Sequence, residues 1–148
     1  MSIDDNKAVV RRWFDEVVSH GNMSSLDAIC AQCHPQFAVV RGVVEPAPQG
    51  IPGLKGLVTS LRTAFPDLNA NVDEQIAEGD KVVSRVTMSG THQGEFMGMP
   101  PTGRSFSIAG VSIWEVRGGQ LISEWVNWDS MGMMKQLGVV PVPAGVAG

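Results

Sequence analysis

The 148 residues contain no tyrosine, and cysteine occurs only twice. A ligand pocket in this chain therefore has few phenol donors to call on, and carbon and sulfur supply most of its walls. No run of about 18 apolar residues occurs, so no membrane span is expected. Positive charge is scarce as well: 11 Lys and Arg against 15 Asp and Glu give a formal net charge of −4. A nucleic-acid binder would normally carry a basic face, so nucleic acid is not expected as a partner. Met1 to Lys7 is polar and acidic, with no basic segment leading into an apolar one. No secretory signal is visible, and a cytoplasmic location is the expectation.

What the chain does have is an ordinary globular balance, with 43% hydrophobic and 18% charged residues. Its length suits one domain with a real core. Four Trp, five Phe and eight Met make up for the missing tyrosine. Methionine fills core gaps and also adapts to irregular ligands, and most of the eight are expected in the core.

Taken in order, the sequence changes period once. Asp4, Asp5 or Asn6 can cap a first helix. Val9, Val10, Trp13, Phe14, Val17 and Val18 recur in it at helical spacing, and His20-Gly21-Asn22 ends it. A second helix is expected from Ser24 or Ser25 to Cys33, stopped by Pro35. Phe37 to Val40 reads as a short strand and Arg41 to Pro48 as a loop. A third helix starts near Ile51-Pro52, with Leu54, Leu57, Val58, Leu61 and Phe65 as its apolar stripe. The period then becomes two. Strands are expected over Asn69 to Ala77, Lys81 to Thr91, Phe106 to Val116 and Leu121 to Trp128. A last helix starts near Asp129 or Ser130 and runs to about Leu137. Helices followed by an antiparallel meander make an α+β domain over residues 1–138, with 139–148 as an extended tail.

Between the two longest strands lies a loop rich in glycine and proline. Gly90-Thr-His-Gln-Gly-Glu-Phe-Met-Gly-Met-Pro-Pro-Thr-Gly-Arg104 carries a histidine, an acid, a Phe and two Met to one end of the sheet. This segment resembles the SnoaL-like polyketide cyclases of the nuclear-transport-factor-2-like superfamily, which also holds ketosteroid isomerase, scytalone dehydratase and limonene epoxide hydrolase. Ala64-Phe65-Pro66-Asp67-Leu68, Ala77-Glu78-Gly79-Asp80, Glu124-Trp125, Asp129 and Gln136-Leu137-Gly138 agree with it. The resemblance covers about residues 5 to 138. It implies a cone: a curved antiparallel sheet wrapped around the N-terminal helices and open at one end.

The resemblance also implies an aspartate acid/base on the last strand and a histidine on the strand before it. Matched without gaps, these positions hold Val126 and Ser112; a shift of one residue puts Asn127 at the first. The framework is kept and the family's acid is not. The remaining candidates for proton transfer are Glu124, His92 and Asp129. Glu124 sits between Ile122 and Val126, and poor solvation there would raise its pKa. An ion pair with Arg85 or Arg104 would lower it instead. His92 is either an acid/base or a brace for the Pro100-Pro101 turn, and Asp129 suits a cap of the last helix better than catalysis. Asn127 and Ser112 are candidate donors to an enolate oxygen. Trp13, Phe14, Phe37, Met97, Met99, Trp114 and Trp128 are the expected pocket walls, with Arg85 beside them.

Cys30-Ala-Gln-Cys33-His34 has the spacing of a c-type haem attachment site, yet no export signal accompanies it. No second Cys or His pair follows to complete a zinc set. No cofactor and no metal are therefore expected. The reading is a cofactor-free enzyme performing acid/base cyclisation, isomerisation or dehydration on a hydrophobic polyketide-like or polycyclic substrate. Two alternatives remain: an epoxide-opening hydrolase using Arg85, Glu124 and Asp129, and a non-catalytic binding module. A homodimer or dimer-based oligomer is expected, because one open side of a curved sheet exposes apolar residues that a second sheet would cover.

Overall fold

The structure, a computed structural model, describes residues 2–30, 39–41 and 50–139, with only the backbone described at 39–41. Helix α1, Ile3–Arg12, begins one turn earlier than the acidic cluster suggests. Ser2 is its cap: the Asp5 amide donates to Ser2 Oγ and the Ser2 amide to Asp5 Oδ2, each at 3.0 Å. This reciprocal arrangement satisfies two otherwise orphaned donors. The helix continues into a π-helical segment, Trp13–Val18, which buries Trp13, Phe14, Val17 and Val18 together. Helix α2, Met23–Ile29, is capped by Asn22 and ends short of Cys33. Cys33, His34, Phe37 and the tail from residue 140 lie outside the described residues.

Helix α3, Gly50–Ala64, buries Leu54 and Val58. Arg62, near its end, donates to the carbonyls of Val18, Ser19, Leu68 and Pro66, tying the helix to both neighbouring turns. Then come β2 (Asn69–Glu78), β3 (Lys81–Thr91), β4 (Ser105–Arg117), β5 (Gln120–Trp128) and α4 (Ser130–Leu137). These four strands form an antiparallel meander, as expected. A short strand β1, Val39–Arg41, adds to β5 in parallel, giving the order β1-β5-β4-β3-β2. A short strand is expected here; its parallel pairing at the edge of the antiparallel sheet is not. Register shifts at Val72/Glu74 and at Glu115/Val116 bend the sheet.

On β3 and β4 the alternation is strict. Val82, Ser84, Val86, Met88, Phe106, Ile108, Ser112, Trp114 and Val116 point inward against the helices. Trp13 meets Trp114 edge-on at 5.2 Å, and Phe65 meets Phe106 at 4.8 Å. These contacts fix the helical layer inside the curve of the sheet.

Candidate functional site

A cleft of about 760 Å³ opens between α3, the loop after β3 and the start of α4. Leu57 and Leu61, Met88, Phe96, Met97, Trp128, Met133 and Met134 supply its apolar walls. Thr59, Ser60, Thr63, Glu95 and Ser130 add polar atoms at its edge. Gly94 lets the loop lie against the end of α3: a Cβ there would stand 2.2 Å from the Thr63 carbonyl oxygen. The Gln93 and Gly94 amides both donate to the Ala64 carbonyl, at 2.9 and 3.0 Å.

A second polar locus lies deeper, on the inner face of the sheet. Glu124 is buried, and Ser112 Oγ donates to its Oε2 at 2.6 Å. Burial pushes the Glu124 carboxyl from its ordinary value of 4.5 up to about 8, against the opposing pull of Ser112 and then of Trp114. The Trp114 indole N–H stands near enough to favour the charged form, although Nε1 meets no acceptor in good hydrogen-bond geometry. Burial therefore favours the protonated acid near pH 7. Cys30 lies in the same region, and burial, then Asp27, then Glu124 push its thiol up to about 12. Such a thiol is not reactive near neutrality. Ser84 faces Ser112 across β3 and β4 and accepts from Gln75 Nε2 at 3.3 Å, so the polar row continues to the far edge of the sheet.

Of the residues singled out in the sequence, Glu124, Ser112 and Trp114 come together here, while Met97 and Trp128 line the cleft. Glu124 lies four positions before Trp128 on β5, about 13 Å of strand. Trp13 and Phe14 are core residues outside the cleft walls. Met99 pairs through its backbone with Phe96 in a tight hairpin and is not among the walls either.

Expectations for five residues are corrected. Arg85 points outward, towards Asp73 at 3.7 Å and Glu74 at 3.5 Å, because odd positions of β3 face away from the core. It can neither line the interior nor pair with Glu124, and the Arg85, Glu124 and Asp129 set for epoxide opening does not assemble. Arg104 lies beside Gly138 instead of Glu124. Asn127 is exposed on the outer face, opposite Val111, where it cannot donate into the interior. His92 is fully buried, and its Nδ1 meets Thr102 Oγ1 at 3.1 Å and accepts from the Thr102 amide at 3.3 Å. Its backbone pairs with Arg104 and Gly103, and its ring packs 5.6 Å from Phe65. It braces the loop and does not line the cleft. Asp129 is the N-cap of α4, accepting from the Gly132 amide at 2.9 Å.

Sequence reasoning missed Leu57, Met88, Glu95, Phe96, Met133 and Met134 as cleft walls. Met88 continues the inward parity of β3, a signal that was available; Met133 and Met134 depend on how α4 docks, which no spacing reveals. Among the described residues no three His, Cys, Asp or Glu side chains converge on a common point. No helix among them is long and apolar enough to cross a membrane.

No curated protein matches this sequence. TsrD from Streptomyces laurentii is 26% identical with a TM-score of 0.81, over 95% of this chain and 99% of its own. IdmH from Streptomyces antibioticus, a candidate polyketide cyclase, is 30% identical with a TM-score of 0.74, over 90% of this chain and 98% of its own. A Catenulispora acidiphila protein with a ketosteroid isomerase-like fold, bound to trimethylamine, is 15% identical over 95% of this chain and 97% of its own. Its TM-score of 0.72 shows a shared fold. The profile of the SnoaL-like polyketide cyclases matches residues 8–137. The chain belongs to the SnoaL-like polyketide cyclase family.

Proposed function

We propose that this chain is an enzyme that binds a hydrophobic polyketide-like or polycyclic substrate in the cleft and cyclises or isomerises it by acid/base catalysis at Glu124. The observation that carries the reading is a buried carboxyl poised near neutrality, held on one oxygen by Ser112. A general acid/base works best when its pKa lies near the working pH. The ionised form takes a proton from the carbon beside a carbonyl. The resulting acid returns it to oxygen or carbon as the ring closes or the double bond moves. Glu124 stands two residues before Val126, the position that matches the family's aspartate, and period two puts both side chains on the same face. The reacting part of the substrate has to pass beyond Trp128 to reach Glu124. Catalysis of this kind requires no cofactor, and a cytoplasmic location remains part of the reading.

The test uses α-tetralone, a flat bicyclic ketone, in deuterated water. NMR should detect enzyme-dependent deuterium uptake at the carbon beside its carbonyl. Glu124→Gln should keep the fold and slow the uptake by roughly 10²–10⁴-fold. A folded variant with undiminished exchange would sink the reading.

One observation favours a second reading, a binding module without catalysis: the cleft walls stop at Trp128 and do not include Glu124. Tight binding of apolar ketones with no exchange in the wild type would favour it. We further propose a homodimer or dimer-based oligomer. Ile76, Val111 and Trp125 are exposed hydrophobics, and the sheet of a second copy would cover such a face. Light scattering that gives a monomer at all micromolar concentrations would exclude this.

A further inference from the structure

We propose that Met97 contacts the ligand and sets the specificity of the cleft, its backbone being held in a strained conformation to present the thioether there. The inference rests on the reading of the cleft as the substrate site. Phe96 and Met99 exchange backbone hydrogen bonds of 3.0 and 2.9 Å, leaving Met97 and Gly98 as the central residues of a two-residue turn. Both have positive φ, +50° for Met97 and +77° for Gly98, the signature of a type I′ turn. Such turns favour Asn, Asp or Gly at the first central position. An unbranched apolar side chain there strains against its own carbonyl. Met97 is the one non-glycine residue with positive φ among the described residues.

Core packing does not account for the choice, because Met97 is 68% exposed. Nor is the tip free to relax by drifting. The loop base is fixed to α3 through the Gln93 and Gly94 amides on the Ala64 carbonyl. The Phe96 ring packs against Phe65 at 5.1 Å. An over-determined strain of this kind points to function. Met88, Met133, Met134 and Trp128 stand with Met97 around the same cleft. Met97 thus supplies a soft apolar contact at the rim, one that an asparagine suited to the turn would not provide.

The test uses N-phenyl-1-naphthylamine, a neutral apolar dye that brightens when it leaves water. Met97→Asn should raise the melting temperature by about 2–5 °C and weaken dye binding roughly 3–10-fold. Met97→Leu keeps the strain and the apolar contact, so melting should stay within about 1 °C and affinity within about 2-fold of wild type. Leu57→Gln, on the opposite wall, should weaken the dye irrespective of Met97. A loss with Leu57→Gln but none with Met97→Asn would overturn the role of Met97 alone. Wild-type protein that fails to bind the dye, or binding untouched by either change, would overturn the cleft reading along with it. Weaker binding with a lowered melting temperature would refute the strain argument.

Discussion

Replacing Glu124 with Gln should remove most of the pH dependence of stability that this carboxyl creates. In the unfolded chain it ionises near 4.5, and in the folded chain near about 8, because burial penalises its charge. Between these values the unfolded state gives up the proton first, so rising pH favours unfolding. The contribution of Glu124 is therefore full below pH 4.5, declines through the window and levels off above about pH 8. At 1.36 kcal/mol per pH unit the whole window is worth roughly 5 kcal/mol, about 3 of which is gone at pH 7. Glutamine cannot ionise, yet its carbonyl can still accept from Ser112. Urea unfolding of both proteins at about pH 5 and about pH 9 measures the difference. The wild type should lose about 4 kcal/mol relative to the variant across that interval. A gap that stays constant with pH would refute the reasoning, since it would mean that Glu124 is ionised in the same range folded and unfolded.

Ser112→Ala removes the hydroxyl that favours the charged carboxyl, so the carboxyl should ionise at still higher pH and any pH limb of proton exchange should move up; a limb shifted downward would contradict this. Asp129→Ala should cost about 1 kcal/mol through the lost helix cap and leave exchange per folded molecule unchanged, as read by urea unfolding beside the tetralone assay.

Parity explains both what was legible in the sequence and what was overlooked. Lys81–Thr91 was readable as a strand, and its even positions, Val82, Ser84, Val86, Met88 and Gly90, are all buried, as is His92 just past its end. The same count puts His92 inside and Arg85 outside. The alternation was there to be used, but a histidine opening a loop also suits a catalytic role. Glu124, Val126 and Trp128 share a face, as their spacing implies. Four features had no such signal. The π-helical segment keeps Trp13, Phe14, Val17 and Val18 at spacings that an α-helix also satisfies. The parallel pairing of Val39–Arg41 with β5 joins residues distant in sequence, and three residues carry too little pattern to announce it. The Ser2 cap was hidden by Asp4, Asp5 and Asn6, each a good capping residue. The cleft walls from α4 depend on tertiary docking, so spacing alone could not identify them.

The claim on which the functional reading turns is that Glu124 is held as a neutral acid near pH 7, and its own titration tests that most directly. Isotope-edited infrared spectroscopy of protein carrying ¹³C-labelled glutamate carboxyls, with Glu124→Gln as the subtraction reference, isolates this one group. A protonated carboxyl band that persists through pH 7 and converts to carboxylate near about pH 8 is the predicted result. A carboxylate band already complete near pH 5, as for an ordinary solvated glutamate, would contradict the account.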